Sequence, residues 1–177
     1  LDAAETLYGD GTKEQRDLAY ASAMERLHRA FPNDVDAASF YALSLLGTAH
    51  KGRDFGTYMR AAAVLEPFYP ANQRHPGVLH YLIHSYDDPA HAPLGLRAAQ
   101  RYGAVAPDAP HALHMTSHIF LALGDWKETI AAHEAATARP TKLRAAQGKP
   151  PVRCGHGTEW LNYAYFQAGD AKRSEAI

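Results

Sequence analysis

The stretch "HPGVLHYLIHSYDDP" (75–89) decides the fold, because a second stretch, "PHALHMTSHIF" (110–120), repeats its pattern at a fixed distance. A shift of 34 residues carries Pro76 onto Pro110, Leu79 onto Leu113, His80 onto His114 and His84 onto His118. A fixed internal period of this length marks stacked helical units, each burying its apolar face on the next. Both stretches open with proline at a first helical position and place apolar residues three and four apart, the spacing of a helix.

The same reading extends outward. Thr12 with Gln15 forms a capping box ahead of a helix to about Ala30, and Asp125 with Glu128 repeats the logic ahead of a helix to about Arg139. The breakers "FPND" (31–34), "YPANQRHPG" (69–77), "DDPAHAP" (87–93), "APDAP" (106–110) and "LGDW" (123–126) separate segments with helical periodicity. No run alternates as a strand does. Helices are expected near 12–30, 34–46, 54–67, 76–86, 91–105, 110–123, 125–138, 155–168 and 170–177. A long loop, "PTKLRAAQGKPPVRCG" (140–155), is expected where Pro140 follows the seventh of them.

The Gly-Asp turns give the repeat a second anchor. "FQAGD" (166–170) follows "LALGD" (121–125) by 45 residues, as if the 140–155 loop had inserted 11 into one period, and "DAASFYALSLLG" (36–47) aligns on the 76–86 helix with a shift of 40. The segment "LALGDWKETIAAHEAATARP" (121–140) resembles the second half of a tetratricopeptide repeat. The paired "HPGVLHYLIH" and "HALHMTSHIF", with "CGHGTEWLNY" (154–163), resemble a group of bacterial tetratricopeptide-like proteins that carry histidine-rich helices. The resemblance implies a right-handed α-solenoid of stacked antiparallel helix pairs, with the first helix of each pair lining a concave groove. It implies no reaction. Residues 1–177 then form one such domain, expected to be a fragment of a longer chain because it starts at Leu1 and stops in a helix.

On a helical wheel of ~100° per residue, His111, His114 and His118 fall within an arc of ~60°, and His80 and His84 lie ~40° apart. Registering the repeats on the Gly-Asp turn gives the groove face of each unit. The three positions read Ala37, Phe40 and Ser44; then Gly77, His80 and His84; then His111, His114 and His118; then His156, Glu159 and Tyr163. Histidines four apart can reach one ion, and imidazole suits zinc, copper, nickel or iron. His80, His84, His114 and His118 are therefore the candidate metal ligands, expected to face one concavity. His111, His156, Glu159, Tyr163, Phe40 and Asp87 are candidate groove residues, with Glu159 or Asp87 able to ligate or to orient an imidazole. Cys154, in a Cys-x-His pair at a helix mouth, is a further candidate ligand or nucleophile.

Other readings stand beside this one. Stacked repeats can copy a packing histidine, although Phe40 and Ser44 at the matching positions argue that the fold does not require one. The groove can bind a small polar ligand or a partner peptide, the common use of such arrays, or a bound metal can turn over a substrate with Glu159, His156 or Tyr163 as acid or base. His28, His50, His91 and His133 fall off the register and are expected to be structural or solvated. Formal net charge is −1 with no Lys/Arg block, so the footprint of a nucleic-acid binder is missing. No apolar run approaches the ~20 residues of a membrane span. The HExxH, Gly-rich phosphate-loop and GxSxG signatures are absent. One cysteine excludes an internal disulfide but leaves the compartment open: a cytoplasmic place is the default, and export remains compatible with a start lacking Met.

Overall fold

The computed structural model describes residues 2–150 and 156–177, and within them the chain is all-helical, without a strand. Ten helices occur among the described residues: α1 (Asp2–Tyr8), α2 (Lys13–Ala30), α3 (Val35–Gly47), α4 (Phe55–Leu65), α5 (Pro76–Ser85), α6 (Ala92–Val105), α7 (Pro110–Ala122), α8 (Trp126–Ala146), α9 (His156–Gln167) and α10 (Ala171–Glu175). They gather into two compact units, residues 1–86 and 87–177. In the first, each helix packs on the next in sequence and α3 also packs on α5. In the second, α6 packs on α7, α7 on α8, α8 on α9 and α9 on α10.

The helix starts agree closely with the sequence signals. Thr12 accepts from the Gln15 amide at 3.3 Å while its own amide donates to Gln15 Oε1 at 2.9 Å, completing the expected capping box. Asp34, Asp54, Asp125 and Asp170 cap α3, α4, α8 and α10 in the same way through their carboxylates. The two aligned Gly-Asp turns, at 124–125 and 169–170, share a single geometry. Gly124 and Gly169 adopt φ of +72° and +75°, and the Asp125 and Asp170 amides reach back to the carbonyls of Phe120 and Tyr165 at 2.8 and 2.9 Å. This left-handed closure ends one helix, and the aspartate that completes it caps the next.

Two expectations need correction. A short helix, α1, precedes the first one expected and packs on α2. More consequentially, α8 does not end before Pro140 but runs through it to Ala146, so residues 140–146, expected to be loop, are helical. Proline removes a single donor, whereas "TKLRAA" (141–146) is rich in good helix formers that carry the helix onward. The stop is Gly148, at φ +66°, where Gly148 and Lys149 bond back to Ala145 and Arg144 in the same left-handed closure.

Each unit has a core drawn from the apolar stripes. In the first, Leu65, Val78, Leu79, Leu82 and Ile83 are fully buried. In the second, Met115 and Ile119 of α7 are fully buried, and Thr129, Ile130, His133 and Ala136 form the buried stripe of α8. The inclusion of His133 in that stripe bears directly on the site.

A candidate metal centre of three histidines

The 34-residue shift carries geometry as well as residue type. His80 and His84 on α5 bring their Nε2 atoms to 3.1 Å, and His114 and His118 on α7 do the same at 3.1 Å. The two pairs belong to different units, and their surroundings differ. In the first unit, His80 stacks on Tyr81 with ring centroids 5.2 Å apart, and Arg53 donates to the His84 and Ser85 carbonyls at the end of α5. In the second, a third imidazole joins the pair.

His156, the first residue of α9, places its Nε2 2.7 Å from Nε2 of His114. One ligand atom from each of His114, His118 and His156 lies within 4.8 Å of the others, a spacing at which three residues can hold one ion. Asp87 Oδ2 stands 2.8 Å from Nδ1 of His118. A carboxylate only accepts, so His118 donates from Nδ1, and its Nε2 in the neutral ring is a bare lone pair aimed at His114. This is the arrangement in which an outer carboxylate fixes the tautomer of a metal-binding histidine.

Burial and mutual repulsion keep the inner part of the cluster uncharged. Desolvation, reinforced by His118, His133, His156 and His111, holds the His114 pKa down at about 3. His133 is held down at about 4, again chiefly by burial. An uncharged His114 carries a single ring proton, so its Nε2 can donate to at most one of the two nitrogens that approach it.

Trp160 covers the cluster. Its ring centroid lies 4.6 Å from that of His118, 5.3 Å from His156 and 5.7 Å from His114. His133 adds a fourth imidazole behind His114, with centroids 5.1 Å apart, and its Nε2 lies 2.9 Å from the Ser117 hydroxyl.

The remaining candidates fall in varied places. His111 is exposed at the start of α7, its ring 6.2 Å from that of His114. Glu159 is exposed on α9 and does not join the three converging ligand atoms, while Tyr163 packs edge-on against Trp126. Phe40 is about half exposed on α3 of the first unit, beside an apolar depression it shares with Leu7, Tyr20, Met24 and Leu43. Cys154 lies outside the described residues. Of the histidines expected to be structural or solvated, His50 bonds Asp17 at 2.8 Å, His91 bonds Asp88 at 2.9 Å and His28 stacks on Tyr41. His75 is the N-cap of α5, accepting from the Val78 amide. His133 takes the structural form of that expectation, buried and bonded to Ser117, although its place against the cluster was not expected.

Sequence reasoning missed Trp160 and the nearness of His133. The signal for His133 was present, since it continues the buried stripe of Thr129, Ile130 and Ala136 at helical spacing. Trp160 carried no comparable signal beyond lying four residues after His156.

Comparison with known proteins leaves the residues to speak for themselves: no family model, no curated protein and no solved structure matches the chain.

Proposed function

We propose that this chain is a tetratricopeptide-like helical-repeat binding module, a right-handed solenoid of antiparallel pairs, whose histidine cluster binds one transition-metal ion. The repeat reading is supported by sequential helix packing, by the recurring Gly-Asp closure and by the histidine pair that recurs 34 residues apart with the same nitrogen spacing.

The observation that carries the metal reading is the convergence of one ligand nitrogen from each of three histidines, with His118 oriented by Asp87 and His114 uncharged. Tetrahedral sites with metal–nitrogen bonds of 2.0–2.1 Å separate their ligand nitrogens by roughly 3.3 Å. The approaches of 3.1 and 2.7 Å around His114 need only a small opening of the rings to reach it. Neutral imidazole is the ligating form, and His114 is already in it at neutral pH. Zinc, copper, nickel and iron all suit such nitrogens. Three protein ligands leave a tetrahedral ion one position for a small ligand or a water molecule, the pattern of sites that bind or transform something at the metal.

Elemental analysis of protein expressed without an affinity tag, followed by titration of the chelator-stripped protein with zinc, copper and nickel, tests the reading. One ion per chain is expected, with His114→Ala abolishing uptake. A stripped protein that takes up none of these ions at micromolar concentration refutes it.

A further inference from the structure

Two buried nitrogens behind the cluster lie near the same point of the α9 backbone, Gly157, and the protonation of one is readable from the hydrogen bonds. Ser117 has one hydroxyl proton, and it is committed to the carbonyl of His114 at 2.6 Å, since a carbonyl cannot donate. The same Oγ lies 2.9 Å from Nε2 of His133, so it accepts there. His133 therefore carries its proton on Nε2, and its Nδ1 is a bare acceptor. That atom is buried without a partner among the described residues, on a side chain only 1% exposed. The Nδ1 of His114 is buried and unpartnered in the same sense. Both border the helix backbone at Gly157: a Cβ placed there lies 3.8 Å from His133 Nδ1 and 3.9 Å from His114 Nδ1.

Ligation at His114 makes these atoms a matched pair. With Nε2 directed to the ion, the His114 proton resides on Nδ1, so a donor and an acceptor border the space that a side chain at 157 would fill. We propose that one water molecule binds at Gly157, accepting from His114 Nδ1 and donating to His133 Nδ1, and that His133 and Ser117 thereby act as positioning residues for the ligand His114. The proposal rests on the metal reading. Two nitrogens meet the minimum of polar partners that a buried water needs, and the chain Ser117–His133–water–His114 gives the inner ligand the outer support that Asp87 gives His118. Glycine at 157 is what leaves the space.

The decisive variant is Gly157→Ala. It keeps every imidazole, meets both nitrogens only at ordinary van der Waals distance, and is a better helix former than glycine, yet its methyl takes the place of the water. Zinc affinity is measured by competition with a chromophoric chelator for the wild type, Gly157→Ala, His133→Leu and His133→Asn. Folding is followed by circular dichroism, and the imidazole protons are located by long-range proton–nitrogen NMR spectra. Gly157→Ala and His133→Leu are expected to lose roughly 10–100-fold in zinc affinity, with the metal-free melting temperature of Gly157→Ala at or above that of the wild type. His133→Asn, whose side-chain oxygen replaces Nδ1, is expected to lose less than His133→Leu. The spectra of the zinc form should show the proton of His114 on Nδ1 and that of His133 on Nε2. A Gly157→Ala protein that binds zinc as tightly as the wild type, or a proton on His133 Nδ1, overturns the water and the positioning role while leaving the metal reading in place. A wild type that binds no zinc overturns both.

Discussion

Lowering the pH of the metal-stripped protein from 7.5 to 5 should destabilise it through His133, by an amount the structure sets. The ring is buried on α8 and faces His114 and His118 of α7 and His156 and Trp160 of α9. Its pKa is about 4 in the folded chain, against about 6.5 in an unfolded one. A group whose folded pKa is depressed binds more protons when unfolded, so its contribution is complete above pH 6.5 and is lost as pH falls towards 4. At pH 5 an unfolded histidine is almost fully charged while the buried one is mostly neutral, and the difference amounts to about 2 kcal/mol. His114 titrates in the same direction. For a chain of this size, 2 kcal/mol is a fall of roughly 4–8 °C in melting temperature.

The assay is urea unfolding in chelator at several pH values, for the wild type and for His133→Gln, which retains a donor for Ser117 but has no ionisation in this range. The variant is expected to be less stable at pH 7.5 and to lose about 2 kcal/mol less than the wild type between pH 7.5 and 5. Parallel stability curves for the two proteins over that range would refute the assignment of His133 as a neutral buried imidazole.

Three further outcomes are expected. Asp87→Asn should weaken zinc binding by roughly 10–100-fold in a chelator competition, because an amide can present its NH2 to His118 Nδ1 and no longer fixes the tautomer. Saturating zinc, at ~100-fold its dissociation constant, should stabilise the wild type by about 2.7 kcal/mol in thermal melts and leave His114→Ala unmoved. Pro140→Ala should stabilise the fold by up to ~3 kcal/mol in urea unfolding and Gly148→Ala should destabilise it by ~1–2 kcal/mol, since the first lies inside α8 and the second holds the left-handed end of that helix.

The parts of the fold legible in the sequence were those written in local chemistry. Capping aspartates, the Thr12–Gln15 box and the Gly-Asp closures act within four or five residues, so spacing alone places them. Pro140 misleads because the effect of a proline depends on the residues after it, and a run of helix formers ending at Gly148 carries α8 past it. The site was half legible. His114 and His118 share one helix face, which a wheel shows, and the matching spacing of His80 and His84 comes from the repeat. That His156 completes the group with His114 is a matter of packing between helices: α9 starts 46 residues after α7, and no spacing rule says which end of it meets which turn of its neighbour. His133 was legible as a structural histidine on the buried stripe of α8, but that this stripe packs against His114 is again a matter of packing between helices.

The cluster also poses a question of charge that packing alone does not answer. Three imidazole nitrogens directed at one another are a poor way to fill space, and Phe40 and Ser44 occupy the corresponding positions of another helix without them. A proton does not settle on His114, because burial and the neighbouring rings hold its pKa at about 3. On the proposed reading a divalent ion would meet the same desolvation cost but would bond directly to all three nitrogens. Free energies of that order, about 10–16 kcal/mol in structural zinc sites, exceed what one buried proton can offset. Three features thus support the metal reading: a His118 ring oriented by Asp87, an uncharged His114 and an indole packed against the rings.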